Sequence, residues 1–191
     1  MNYQILFIQG AGNVTVQEEQ VIVDALKAKL GDKFTVILPT IPDADNPTYL
    51  SWDSVLTTEL EHLSGNVILL GHSLGASVIL KHFSMEPVPA KVIGMILFGV
   101  PYWKAQNWDV SEYVIEDDFV DNLGKLENIY LYHSPDDEVI PYTHLEAYQK
   151  LLPQAKLRII PGLDYSYHGA IENMVTDIRD LSKNAGTDHK Y

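Results

Sequence analysis

The sequence predicts a three-layer α/β/α sandwich, in which helices cover both faces of a six-stranded, mostly parallel sheet. Six short apolar runs alternate along the chain with segments of helical periodicity, which is the pattern of a parallel sheet joined by right-handed crossovers. Glycine, proline and polar residues separate the two kinds of segment. The chain has 191 residues, of which 46% are hydrophobic, enough for one domain with a sizeable core.

Each predicted strand is a run rich in apolar, β-branched or aromatic residues. In chain order the strands are predicted at residues 3–9, 34–38, 66–70, 92–98, 129–133 and 156–160. The predicted helices carry apolar residues on one stripe. They lie at 17–30, 51–62 with Ser51 as N-cap, from the turn after residue 73 to about 85, 117–123, 142–152 and 171–181.

The chain is expected to form one domain over residues 1–183, followed by a polar C-terminal tail at 184–191. No apolar stretch approaches the roughly 18 residues that cross a bilayer, so no membrane span is expected. No export signal is recognised at the N-terminus, and a cytoplasmic location is the default expectation. Because the sequence has no cysteine, disulfides, cysteine-ligated metals and a thiol nucleophile are excluded.

The composition is strongly acidic, with 13 Lys and Arg against 26 Asp and Glu and a net charge of -13. This charge repels a phosphate backbone and an anionic membrane surface, so nucleic-acid binding is not expected. The acidic residues are spread in short groups along the chain, which favours a role in solubility. A preference for neutral or cationic substrates is the alternative.

A nucleophile elbow is indicated where the third predicted strand meets the next helix, at Gly71-His72-Ser73-Leu74-Gly75. A serine on so sharp a turn has a strained backbone, and the turn closes only if the residues two before and two after it are very small. The following helix directs its free N–H groups and the positive end of its dipole at Ser73. This environment favours the negative charge of an oxyanion.

A serine nucleophile needs a histidine to accept its proton and a carboxylate to orient that histidine. Four of the seven histidines fall on predicted helices or in the tail and are set aside: His62, His82, His144 and His189. His72 lies inside the elbow, where the turn directs its side chain away from Ser73. His168, in the loop after the last strand, is the leading candidate for the base, and His133, at the end of the fifth strand, is the minor one.

Two aspartates, Asp136 and Asp137, directly follow the fifth strand, and either one can supply the acid. The resulting order Ser, Asp, His is the one expected when the elbow precedes both partners. The structural alternative is that both aspartates cap local backbone groups in a turn.

The elbow, residues 137–141 and the loop around His168 together resemble the α/β-hydrolase superfamily, over nearly the whole chain. The resemblance implies the minimal α/β-hydrolase fold, with strand order 2-1-3-4-5-6. In that family a proline usually follows the acid after three residues, and Pro141 therefore selects Asp137. The small size, the loop over 38–47 followed by Trp52, and the absence of a cap insertion resemble compact serine hydrolases of the retinoblastoma-binding-protein type.

The same resemblance implies an oxyanion hole made of two backbone N–H groups. These would belong to Leu74, after the nucleophile, and to Ala11, after the first strand, with Gly12 as the near alternative. Many relatives have His-Gly before this loop, whereas this chain has Gln9-Gly10. The side-chain amide of Asn13 is a further candidate donor, with a role in the turn as its alternative.

The sequence therefore predicts a carboxylesterase-like serine hydrolase that cleaves an ester-type acyl bond of a small molecule through Ser73, His168 and Asp137. The reaction passes through an acyl-enzyme and needs no metal or cofactor. Residues predicted to line the substrate pocket, with plain packing as the alternative, are His72, Tyr102, Trp103, Trp108, Tyr142, Tyr165 and Tyr167.

Other functions remain open at this level. Peptidases, thioesterases and lipases share the same triad, whereas a halide-displacing enzyme would need aspartate at position 73. The rival from another class is a non-catalytic protein-interaction module that keeps the hydrolase fold, supported by the acidic composition and by Gln9. No protein partner can be named from the sequence.

Overall fold

Six parallel strands form one sheet, in the order β2-β1-β3-β4-β5-β6, in a computed structural model that describes residues 2–105, 110–115, 120–123, 126–163 and 166–187. The strands are β1 (Tyr3–Ile8), β2 (Phe34–Ile37), β3 (Asn66–His72), β4 (Val92–Phe98), β5 (Ile129–His133) and β6 (Lys156–Ile159). The predicted fold and strand order are confirmed, and the sheet is wholly parallel.

Helices connect the strands, and short 3₁₀ turns lie at Ser111–Tyr113 and His168–Ala170. The α-helices are α1 (Asn13–Leu30), α2 (Tyr49–His62), α3 (Leu74–Met85), α4 (Val120–Leu123), α5 (Thr143–Leu151) and α6 (Ile171–Thr187). Among the described residues, none of these helices combines the length and apolarity needed to cross a bilayer.

Both faces of the sheet are buried, which explains why its central strands are almost continuously apolar. Alternate residues of β1 show the two layers. Leu6 and Ile8 join the core beneath α2 and α3. Ile5 and Phe7 join the core beneath α1 and α6, and all four side chains are fully buried. The carboxyl ends of the strands therefore form one edge, where ligands bind in sheets of this kind.

Helix ends differ most from the sequence prediction. The prediction that Ser51 caps α2 is wrong, because the side chain of Thr48 is the N-cap and accepts a hydrogen bond from the Ser51 N–H. Helix α1 begins at Asn13, directly after Gly12, instead of at residue 17. Helix α6 continues past residue 181 to Thr187, so it extends into the segment expected to be a tail.

The turn between β3 and α3 brings helix and sheet backbones unusually close. A Cβ atom at Gly75 would lie 2.5 Å from the carbonyl oxygen of Gln9 and closer still to that of Ile8. A Cβ atom at Gly71 would lie 2.7 Å from the Cα of Ala76. Ser73 between them has φ 50° and ψ -117°, a conformation that side chains rarely adopt.

We predict that Gly75→Ala destabilises the protein by about 3 kcal/mol or more, because the new methyl group overlaps two backbone carbonyls that cannot move independently. Urea unfolding measures this loss. Gly31→Ala is the control, because Gly31 has φ 78° and ψ -175° but nothing within 4 Å, so backbone strain of about 1–3 kcal/mol is expected without any steric overlap. Equal losses in the two variants would contradict the steric explanation.

Candidate active site

Ser73 lies between β3 and α3, at the carboxyl edge of the sheet, and is 7% exposed. Its backbone N–H donates to the carbonyl of Phe98 at 3.0 Å, which fixes the elbow against β4. Leu74 begins α3, so its N–H lies in the first turn, where no intrahelical acceptor exists. The N–H of Leu74 has no hydrogen-bond acceptor among the described residues.

Asp137 and Asp136 have different surroundings, although they are neighbours after β5. Asp137 is 7% exposed, and its Oδ1 accepts hydrogen bonds from the N–H groups of Val139 and Ile140, both at 2.9 Å. Asp136 is exposed and accepts from the N–H of Gly162 at 2.6 Å, so it joins two turns. Asp137 is therefore the buried member of this pair of aspartates.

The second oxygen of Asp137 is bonded to Tyr167 and not to His168. The hydroxyl of Tyr167 donates to Asp137 Oδ2 at 2.9 Å. His168 instead donates from Nε2 to the carbonyl of Glu18, at 2.9 Å. No hydrogen bond joins His168 to Asp137 or to Ser73 among the described residues. The predicted triad residues thus follow β3, β5 and β6 but are not linked in this arrangement.

Tyr167 is fully buried at this edge. Its ring centroid lies 5.4 Å from that of Phe98 and 5.9 Å from that of His72, and its edge lies against Gly99. With φ 56° it has a left-handed backbone, which is strained for an aromatic residue. The chain thus turns Tyr167 inward, where it contacts the acid, and His168 toward α1.

The other predicted pocket residues pack against neighbouring rings. Tyr102 contacts Tyr148 at 5.6 Å between centroids, and Trp103 contacts Tyr113 at 5.0 Å. Tyr142 lies edge-on to His133 at 5.8 Å. Trp108 and Tyr165 lie outside the described residues. A substrate-binding role for this group stays a prediction.

Two buried histidines lie on either side of the segment that contains Asp137, and each bonds a backbone group. His133 donates from Nε2 to the carbonyl of Ile140 at 2.8 Å, and His144 Nδ1 accepts from the N–H of Tyr102, also at 2.8 Å. Burial lowers the pKa of both rings, and the charge of Asp137 opposes this only in part. His144 is not a candidate base in the sequence, because it falls on a predicted helix. In the structure it lies about one helical turn after the loop that contains Asp137, and it is 3% exposed.

The loop after β1 is held at three points by hydrogen bonds of 2.8 Å. They run from Trp52 Nε1 to the Gln9 carbonyl, from the Gly10 N–H to Glu19 Oε1, and from the Gly12 N–H to the Ala44 carbonyl. The Ala11 N–H has no acceptor among the described residues. Of the two alternatives for the second oxyanion donor, Ala11 has the available N–H, whereas that of Gly12 is engaged.

Glu19 is the residue of this region that the sequence analysis missed. It is 1% exposed, and its Oε1 also lies 2.7 Å from His72 Nδ1. From the sequence alone, Glu19 is one of the acidic residues that are spread in short groups along the chain. The available signal was its helical spacing, because Glu19 shares a face of α1 with the buried Ile22, Val23 and Leu26.

No group of three or more His, Asp or Glu side chains within the described segments is arranged to hold a metal ion.

A serine on a strand-to-helix turn, at the carboxyl edge of a parallel sheet of order 2-1-3-4-5-6, defines an α/β-hydrolase. Comparison with protein families gives the narrower class. Residues 26–155 match the family model described as serine hydrolase, and the chain belongs to that family.

Solved structures show the same fold at low sequence identity. Est1E from Butyrivibrio proteoclasticus has a TM-score of 0.68 and 15% identity, covering 96% of this chain and 87% of that one. The meta-cleavage product hydrolase CumD from Pseudomonas fluorescens has a TM-score of 0.72 and 12% identity, covering 97% of this chain and 92% of that one. An α/β serine hydrolase without a lid from Xanthomonas campestris has a TM-score of 0.64 and 13% identity, covering 95% of this chain and 81% of that one. The comparison with curated proteins gave no match.

We predict that the free energy of unfolding falls as the pH is lowered from about 7 to about 5. The pKa values of His133 and His144 lie below their ordinary 6.5 in the folded protein, so the unfolded chain takes up protons first. The stability that depends on neutral rings is fully present above about pH 6.5 and is lost as the pH falls through the lowered folded pKa values. Urea unfolding at several pH values measures this.

The double variant His133→Gln, His144→Asn should flatten this dependence, because each amide can replace the ring nitrogen that now hydrogen-bonds. His62→Asn, at an exposed position on α2, serves as the control and should keep the wild-type slope. An unchanged slope in the double variant would assign the effect to other groups.

Proposed function

We propose that this serine hydrolase cleaves an ester-type acyl bond of a small molecule, with Ser73 as the nucleophile. The observation that carries the proposal is the strained elbow, together with two backbone N–H groups that lack acceptors among the described residues, those of Leu74 and Ala11. Strain held at a buried serine beside a helix N-terminus is typical of a nucleophile.

In the proposed reaction His168 takes the proton of the Ser73 hydroxyl, and the serine oxygen attacks the acyl carbonyl. The resulting oxyanion accepts hydrogen bonds from the N–H groups of Leu74 and Ala11, each worth about 3–4 kcal/mol of transition-state stabilisation. His168 then returns the proton to the departing alcohol. A water molecule, deprotonated by His168, attacks the acyl-enzyme, releasing the carboxylic acid and restoring Ser73.

This mechanism requires His168 to replace Tyr167 as the partner of Asp137 Oδ2. The two residues are adjacent, so a change in the backbone around them can withdraw one side chain as it brings in the other. The left-handed backbone of Tyr167, a strain of about 1–3 kcal/mol, favours such a change. We therefore interpret the present hydrogen bonds as a resting arrangement of the site.

The first test is covalent labelling by a fluorophosphonate. Wild-type protein should be labelled at Ser73, and labelling should be lost in Ser73→Ala and in His168→Ala, because the first removes the nucleophile and the second its base. Ser64→Ala, at an exposed position before β3, is the control and should label normally. If the wild-type protein is not labelled, the proposed function is wrong.

The second test concerns the resting arrangement. Tyr167→Phe removes the hydroxyl that occupies Asp137 Oδ2, so we expect labelling to become several-fold faster. Tyr3→Phe is the matched control, because its hydroxyl bonds the Ser182 carbonyl at the opposite end of the sheet. A slower reaction in Tyr167→Phe would mean that the tyrosine supports the acid instead of competing for it.

The alternative function is a non-catalytic interaction module, and one specific observation favours it. Asp137 is bonded to Tyr167, and His168 to the Glu18 carbonyl, so no relay is assembled in this arrangement. Absence of labelling, together with no turnover of p-nitrophenyl acyl esters, thioesters or peptides, would support this alternative. Turnover that depends on acyl-chain length would instead define the substrate class.

A further inference from the structure

We infer that Glu19 is a positioning residue that sets the geometry of the oxyanion hole through the Gly10 peptide and the His72 ring. The inference rests on the proposed function, because it concerns the two backbone donors proposed there. It assigns a role to a buried acid that the triad does not use.

A single oxygen of Glu19 joins the two segments that carry the proposed donors. Glu19 Oε1 accepts from the Gly10 N–H at 2.8 Å and lies 2.7 Å from His72 Nδ1. Gly10 directly precedes Ala11, and His72 directly precedes Ser73. Because both partners share one acceptor atom, a movement of Glu19 changes the position of the β1 loop relative to the elbow.

The contacts around Gly10 leave the loop little freedom. A Cβ atom there would lie 3.1 Å from Thr15 Cγ2, 3.4 Å from Glu19 Oε1 and 3.5 Å from His72 Nδ1. At the other end of the loop, the Gly12 N–H is held by a backbone carbonyl. The Gly10 N–H is thus held by a side chain alone, and that side chain belongs to Glu19.

Stability does not explain a carboxylate at this position. Glu19 is 1% exposed, its Oε1 contacts His72 Nδ1, and its Oε2 is buried with no hydrogen-bond partner among the described residues. A buried polar atom without a partner destabilises the folded protein. A methionine would match the apolar face that Glu19 shares with Ile22 and Val23. The carboxylate is therefore better explained by the two groups that it holds.

The test compares Glu19→Met with Glu19→Gln in the full chain, using p-nitrophenyl acetate. We expect Glu19→Met to lower kcat by about 10- to 100-fold with KM nearly unchanged, because the donors are displaced from the position of the developing charge. Glu19→Gln keeps an oxygen that accepts from Gly10 and His72, so it should stay within about threefold of wild type. Glu61→Met, exposed on α2, controls for the loss of a charge.

A second measurement separates positioning from general damage. A trifluoromethyl ketone forms a tetrahedral adduct with a catalytic serine and places an oxyanion in the hole. Its affinity should fall in Glu19→Met by the same factor as kcat/KM, whereas inhibition by acetate, the carboxylate product, should not change. Should Glu19→Met fail to fold, Glu19→Asp replaces it, since its shorter side chain cannot reach both partners and should also lower kcat.

The outcomes distinguish this inference from the proposed function. Wild-type protein without esterase activity overturns the proposed function and this inference with it. An active wild type with an equally active Glu19→Met, or with Glu19→Gln as impaired as Glu19→Met, overturns the inference alone. If Glu19→Met has a lower kcat but binds the trifluoromethyl ketone with the affinity of wild type, the inference is also overturned.

Discussion

The close approach of the first turn of α3 to the ends of β1 and β3 is the constraint on which the rest of the edge depends. Gly75 lies against the carbonyl groups of Ile8 and Gln9, and no side chain fits between them. This contact makes the turn at Ser73 sharp and brings the β1 loop next to the elbow. The nucleophile and the Leu74 N–H are therefore positioned by this backbone contact, whereas the loop that carries the Ala11 N–H is also held by the side chain of Glu19.

Several buried polar groups of the edge are arranged around this backbone contact. Glu19 contacts His72, Asp137 accepts from backbone N–H groups and from Tyr167, and burial lowers the pKa of His133. In a poorly solvated interior each of these hydrogen bonds is stronger than in water, and each unpaired atom is more costly. A change of partner at one acid therefore requires a coordinated change at its neighbours, as the triad proposal assumes for Asp137.

Local signals in the sequence predicted most of the fold. The four central strands, β1, β3, β4 and β5, were predictable because they are buried on both faces and read as apolar runs. The elbow was predictable because glycine is needed on either side of Ser73. Helix ends were less predictable. Thr48 and Ser51 are both good capping residues, and the folded chain has Thr48 as the N-cap and Ser51 in the first turn of α2.

The sequence by itself determined the parallel sheet and the position of the serine in the elbow. It also determined the strand ends that the acid and base candidates follow, and the family resemblance implied the strand order. The tertiary structure decided which groups meet there. Glu19 meets His72, 53 residues away, and Tyr167 meets Asp137, 30 residues away, contacts that no local pattern encodes. The physical reason is that strand and helix formation depends on neighbouring residues, whereas hydrogen bonds inside a folded edge depend on how separate segments pack together.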